Sequence, residues 1–355
     1  MSGTRGAVSS WGIAVVILIA AGFGAVAAAP SPPVVEGLWV RPSEVFPAQP
    51  VWGHAEGLRV GLWPMTGPRG LLRIYAPYLG HRDDRMINYI AVEPIVADGF
   101  HRGFSELEWS ILDDEDGLRF WSADSPADPA PREPTSPARG VLSTDGNVEI
   151  LTVYVFVEPF ANGARVHVRL TFRSDRLYEV GIATFTQEGS ASLAACVVTA
   201  TMGNYARLRV LHVREGPVHA EDLWPGFDGL DFAPRVCFPL DDLLTTPQGG
   251  ALLVAVPDEE NPAAAEYAPK TFIGWKYTGE VATQTWRHEN PPSELRGCVN
   301  GRTVYWASAS PIPGGISFEN FELVEPFDEG SEVWFGVVPG RYAPPQPLKQ
   351  TVNGE

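Results

Sequence analysis

Between Arg73 and Ser110 the chain concentrates His81, Arg82, Asp83, Asp84, Arg85, Asn88, Glu93, His101, Arg102, Glu106 and Glu108 among Tyr75, Tyr78, Tyr89 and Trp109. Proton transfer needs an acid and a base tuned toward neutrality, and sugar recognition needs polar groups beside flat rings; this stretch holds both inventories. His81 and Glu93 are the acid/base candidates, with Arg82, Asn88, His101 and Glu106 as groups that would bind hydroxyls or carboxylates. On a strand over Ile87–Val96, Asn88 and Glu93 point to opposite faces, so they share a site only if a bulge or a strand end at Pro94 intervenes. The competing reading pairs Arg82, Asp83, Asp84 and Arg85 with one another at the surface, where ion pairs contribute little.

Three further segments carry chemistry. Thr201–Arg209, TMGNYARLR, sets Asn204, Tyr205, Arg207 and Arg209 beside a glycine. In elimination from a uronic acid, Tyr205 would take the C5 proton while Arg207 or Asn204 neutralises the carboxylate; the same residues suit a strand-end hydrogen-bond cluster. In RVHVRLTFR, Val166, Val168, Leu170 and Phe172 alternate with Arg165, His167, Arg169, Thr171 and Arg173. One face is therefore core, and the other is a basic stripe that is either solvated or meets an anionic ligand through Arg169 and its neighbours. GWKYTGEVATQTWRHE places Trp275, Tyr277 and Trp286 around Lys276 and His288. Lys276 and Trp286 are candidate sugar contacts, with core packing as the competing role of the rings.

Other chemistries find no support. The histidines show no HExxH pairing, and GxSxG, a phosphate-binding loop and a dinucleotide fingerprint are all missing. The acidic run Asp113–Asp116 lacks the alternating spacing of a calcium loop. No cofactor and no metal are expected. A formal net charge of −17 makes nucleic acid an improbable partner.

The elements that must position these residues are short apolar-alternating runs cut by Gly, Pro, Asp and Asn. Strands are expected at Leu58–Leu62, Leu71–Tyr75, Ile87–Val96, Leu118–Trp121, Val148–Val157, Ala164–Arg173, Tyr178–Thr186, Cys196–Thr201, Ala206–Arg214 and Ala251–Val256. Thr271–Tyr277, Val281–Arg287, Thr303–Trp306, Ile316–Val324 and Glu332–Val338 complete the series. Such spacing, with Asn162-Gly163 as a hairpin turn and almost no helical periodicity, predicts an all-β fold, a large antiparallel β-sandwich. One domain over residues 50–340 is expected, with a flexible Pro-rich loop at 122–139, a Pro-rich extension at 30–49 anchored by Trp39 and Phe46, and a C-terminal tail at 341–355.

Residues 1–29 read as a secretory signal peptide, because Arg5 is the only charge before an apolar run that ends abruptly in Pro-rich chain. Export follows, with no membrane attachment beyond the signal. Three cysteines, Cys196, Cys237 and Cys298, allow one bridge and a leftover thiol, or three buried thiols.

The opening pair GLRVGLWPMTGPRGLLRIYAP, the long hairpin ILTVYVFVEPFANGARVHVRLTFRSDRLYEVGIATF and the closing run SPIPGGISFENFELVEPFDEGSEVWFGVVP resemble, in their order, the galactose mutarotase-like supersandwich. In that superfamily an acidic Gly turn often joins the last two strands. The resemblance implies a carbohydrate-active protein, since the fold recurs in aldose epimerases, glycoside hydrolases and polysaccharide lyases. The expectation is therefore a secreted protein acting on or binding polysaccharide, possibly an anionic one, as hydrolase or uronate lyase. The alternative is a non-catalytic glycan-binding or cell-envelope structural β-sandwich.

Overall fold

The computed structural model describes residues 29–81, 85–97, 101–306 and 308–343. The segment read as a signal, apart from Ala29, together with Arg82 and most of the C-terminal tail, lies outside these residues. Among the described residues the chain is nearly all β, built from two large antiparallel sheets of ten and eleven strands and one small two-stranded hairpin.

In the first sheet Leu72–Tyr75, Met86–Val96, Leu193–Ala200, Ser317–Val324, Arg296–Arg302 and Val236–Pro239 lie side by side in that order. Four short strands, Val34–Glu36, Trp39–Arg41, Val51–His54 and Arg59–Gly61, extend it beyond Leu72–Tyr75. The second sheet has Val148–Val157, Val166–Arg173, Glu179–Thr186, Glu332–Pro339, Ala282–His288, Ala251–Pro257 and Leu208–Val213 at its centre. After Met86–Val96 the chain crosses repeatedly from one sheet to the other, so neither sheet can form without its partner. The closing strands Ser317–Val324 and Glu332–Pro339 accordingly fall in different sheets and do not pair.

Alternation explains the packing between the sheets. Val166, Val168, Leu170 and Phe172 are wholly buried, and their strand pairs with Val148–Val157 in the register Val153↔Leu170 and Val155↔Val168. They join Leu72, Ile74, Ile90 and Val92 of the first sheet in one continuous apolar cluster. Each such side chain contributes about 1.5–3 kcal/mol by leaving water. Polar links cross the same core: Trp286 Nε1 donates to the Phe321 carbonyl at 2.7 Å, and Asn88 Nδ2 to Gln284 Oε1 at 2.7 Å.

Several local expectations are corrected. Thr271–Tyr277 is not a strand; it holds a single 3-10 turn at Ile273–Trp275. Thr303–Trp306 makes only an isolated bridge at Val304. A short helix at Ala220–Leu223 follows a His219 cap. In the N-terminal extension Trp39 is anchored, donating to Glu149 Oε2, whereas Phe46 is 58% exposed. The Pro-rich loop is tied down: Trp121 Nε1 donates to the Pro129 carbonyl and Trp52 Nε1 to that of Ala138. Cys237 and Cys298, opposite each other on neighbouring strands, form a disulfide, and Cys196 stays a thiol.

Candidate functional site

The outer face of the first sheet, the one turned away from the sandwich core, floors a cavity of about 1350 Å³. Strand pleating decides what reaches it. On Met86–Val96, Asn88, Ile90 and Val92 point inward, so Tyr89 and Glu93 point outward and line the cavity. Two strands away, Val299 opposes Phe321 and Gly301 opposes Phe318, leaving Asn300 facing both Glu319 and Asn320. This is a β-bulge, stitched by the Asn320 amide donating to Asn300 Oδ1 at 2.9 Å. The extra residue turns two consecutive side chains, Glu319 and Asn320, toward the same cavity.

Loops raise the walls. Residues 101–117 form one lip, and Ser105 pins it: its hydroxyl donates to the Gly70 carbonyl at 2.6 Å and accepts from the Val92 amide at 3.0 Å. Gly70 has φ +67° and a Cβ there would meet the Ser105 carbonyl, so only glycine permits this approach. Buried Glu158 clamps the far end of the lip, accepting from Ser110 Oγ and from the amides of Ile111, Leu112 and Arg119. Glu108 is likewise structural, accepting from the Phe104 and Ala161 amides. The opposite wall is the 258–280 segment, which brings Lys270, Phe272, Ile273 and Trp275 to the cavity.

Three carboxyl groups in the cavity are displaced from the ordinary range. Burial pushes Glu319 up to about 8, opposed by the charge of Arg302. Its Oε2 accepts a hydrogen bond from Asn204 Nδ2. Glu106 keeps some contact with solvent in the cleft, yet the packed walls around it raise its carboxyl to about 7, against its own backbone amide and the charge of Arg102. Glu93 is driven up by burial and pulled down by Arg102, whose Nε sits on its Oε2. The same guanidinium reaches Glu322 Oε2 at 2.9 Å, and Arg235 meets Glu322 Oε1 at 2.9 Å.

Of the residues singled out from the sequence, the cavity brings Glu93, Glu106 and Tyr205 together, with Asn204 one hydrogen bond behind Glu319. Burial raises the Tyr205 phenol, with the nearby Arg85 opposing. His81 does not line the cavity; it is buried, edge-on to Tyr277 at 5.1 Å and 6.3 Å from the Tyr205 ring, and burial lowers it to about 4. Arg207 also lies off the cavity. Its guanidinium grips Glu259, the Tyr267 hydroxyl and the Pro262 carbonyl, from a backbone at φ +51°. Arg209 binds Asp258, Glu259 and the Ile316 carbonyl. Both arginines are positioning residues for the wall loops rather than for a ligand.

The remaining candidates are elsewhere. Asn88 faces the core, and Trp286 is fully buried within it. Arg169 is on the outer face of the second sheet, paired with Glu332 at 3.3 Å. Lys276 lies 5.9 Å from the Tyr267 ring and off the cavity, and exposed His101 contributes only its carbonyl, to Asn162. Arg82 is outside the described residues.

Sequence reasoning passed over Glu319, Asn320, Asn300, Arg235, Lys270, Phe272, Trp306 and the methionines of the lining. A signal for Glu319 and Glu322 existed: SFENFELV is a strand in which acids interrupt an apolar run, the same kind of cue as RVHVRLTFR. The bulge that re-aims Glu319 has no such mark. Comparison with protein-family models, with curated proteins and with solved structures finds no match for this chain.

Proposed function

We propose that this is a secreted carbohydrate-active enzyme that hydrolyses a glycosidic bond in the cavity on the outer face of the first sheet. The observation that carries the reading is the set of carboxyl groups in one aromatic-walled cavity whose burial separates their proton affinities. Hydrolysis needs one carboxylic acid to protonate the leaving oxygen and one carboxylate to act as base or nucleophile. Glu319, buried and facing an amide, suits the neutral acid; Glu106, poised near neutrality, suits the carboxylate. Trp275 and Trp306 line the same cavity and offer aromatic surface to pyranose rings. Elimination is less well served, because a Tyr base needs its proton affinity lowered, and burial of Tyr205 acts in the other direction. The cross-strand disulfide suits an oxidising compartment.

The test is a screen of the processed protein on neutral and uronate glycosides, followed by a pH profile on any substrate found. Activity requires Glu106 ionised and Glu319 protonated. It should therefore rise with pH through about 7 and fall through about 8, a narrow bell in kcat/KM. Saccharide binding without turnover would return the chain to the non-catalytic glycan-binding alternative. Neither binding nor turnover on any glycoside would remove the carbohydrate reading.

A further inference from the structure

The lining of the cavity is chemically divided. Carboxyl and amide groups of the sheet, Glu93, Asn300, Glu319 and Asn320, gather on its floor. Around them Arg85, Glu106, Arg235 and Lys270 add charge to the walls, and thioethers and rings supply much of the rest. Apart from Met1 the chain has three methionines, Met65, Met86 and Met202, and all three line this one cavity. They come from separate segments: the loop after Arg59–Gly61, the first residue of Met86–Val96, and the turn after Leu193–Ala200. Thioether side chains are unbranched and polarizable, and they accommodate flexible apolar ligands of more than one shape.

The mouth continues the theme. Phe272 and Ile273 are each 67% exposed, Leu107 49% and Phe232 42%, and all four line the cavity. Large apolar side chains left in water on both sides of a cavity entrance mark a surface that meets apolar material. The volume, about 1350 Å³, also exceeds the roughly 300–1,000 Å³ typical of sites for drug-sized ligands. A single sugar ring over the floor would leave much of it unused. A chain of sugars would set hydroxyls against thioethers, stripping them of water with no replacement hydrogen bonds.

Building on the glycoside reading above, we propose that the substrate is an amphipathic glycoside. Its sugar lies over the carboxyl and amide floor, and its apolar aglycone lies against Met65, Met86, Met202, Phe272 and Ile273.

The experiment uses the processed full-length protein and the neutral fluorophore N-phenyl-1-naphthylamine, displaced by methyl glycosides, by n-octyl glycosides below their micelle concentrations, and by 1-octanol. Gluco, galacto and glucurono head groups are each tried. For at least one head group, the octyl glycoside should displace the probe at a concentration about 100-fold or more below the methyl glycoside, since several methylenes leave water. It should also outcompete octanol. Phe272→Ser and Ile273→Ser, at positions too exposed to threaten folding, should weaken octyl glycosides by about 10-fold and leave methyl glycosides unchanged. Equal potency of methyl and octyl glycosides would overturn the apolar aglycone while leaving the saccharide reading intact. Octanol matching every octyl glycoside would overturn the saccharide reading and leave only an apolar site. Absence of displaceable probe would overturn the inference outright.

Discussion

The two outer faces of the sandwich carry similar residues and reach opposite ends. On the second sheet, Arg169 meets Glu332, Arg173 meets Asp175, and His167 is stacked between Phe156 at 4.9 Å and Phe185 at 5.1 Å. Trp121 extends that ring ladder, stacked on Phe156 at 5.9 Å. Glu332 reaches Arg169 from two strands away and Asp175 reaches Arg173 from the turn that follows, and none of these residues lines the cavity on the first sheet. On the first sheet, carboxyl groups project into a cavity walled by loops, and Glu319 has an amide, not a cation, for its close partner. Facing outward is therefore not enough to make a site. Ion pairs occur on both, Arg102 holding Glu93 and Glu322 on the first; what distinguishes that face is the loops raised over it and a buried carboxyl, Glu319, held by an amide.

The sharpest way to break this comparison is one substitution on each face. Glu319→Gln keeps the shape and removes the proton, so turnover on the screened glycoside should fall by about 10²–10⁴. Arg169→Gln should leave turnover unchanged. Equal losses from both would abolish the distinction between the faces.

Stability against pH gives the next largest effect. His54 and His81 are both lowered to about 4 by burial, so the native state resists their protonation. Stability they permit is present above about 6.5 and is lost as pH falls from there toward 4, at a cost of order 3 kcal/mol for each. For Glu319 the sign is reversed: its native pKa is raised, so the unfolded chain holds fewer protons, and stability declines as pH climbs from about 4.5 to about 8. Denaturant midpoints across pH 4–9 should thus carry both slopes, opposed between about 4.5 and 6.5 and declining from 6.5 to about 8. Glu93 and Glu106 are raised too, to about 8 and about 7, and act with the same sign, so Glu319→Gln should remove one proton's share of the decline between about 4.5 and about 8; an unaltered slope there would mean Glu319 is not among the groups responsible.

Trp286 and Arg169 calibrate the small end. Trp286→Phe leaves the Phe321 carbonyl without its buried donor, which should cost about 1–3 kcal/mol in chemical denaturation without a selective effect on ligand. The Arg169–Glu332 pair is partly exposed, and its loss should cost no more than about 1 kcal/mol. A larger loss would show that the second sheet's outer face is stabilised by more than local pairing.

Strand content and facing were legible in the chain. RVHVRLTFR gave its alternation directly, and the opposite facing of Asn88 and Glu93 followed from pleating alone. The candidate site was legible only in part. Glu93, Glu106 and Tyr205 reach the cavity, while Arg207, Trp286 and Lys276 have the right chemistry in the wrong surroundings. Residue type cannot reveal that Arg207 is occupied by Glu259, because the two are brought together only when the 258–267 loop folds back.

The sequence by itself determined the all-β class and which side of many strands is apolar, because a period of two is a local property of the backbone. Only the tertiary structure decided which outer face became a cavity. The bulge at Asn300 that aims Glu319 and Asn320, the clamp of Glu158 on the lip and the meeting of three distant methionines all depend on contacts between remote segments. Proton affinities belong to the same class, since burial, which sets the Glu319 carboxyl near 8, is a property of the assembled walls and not of the glutamate.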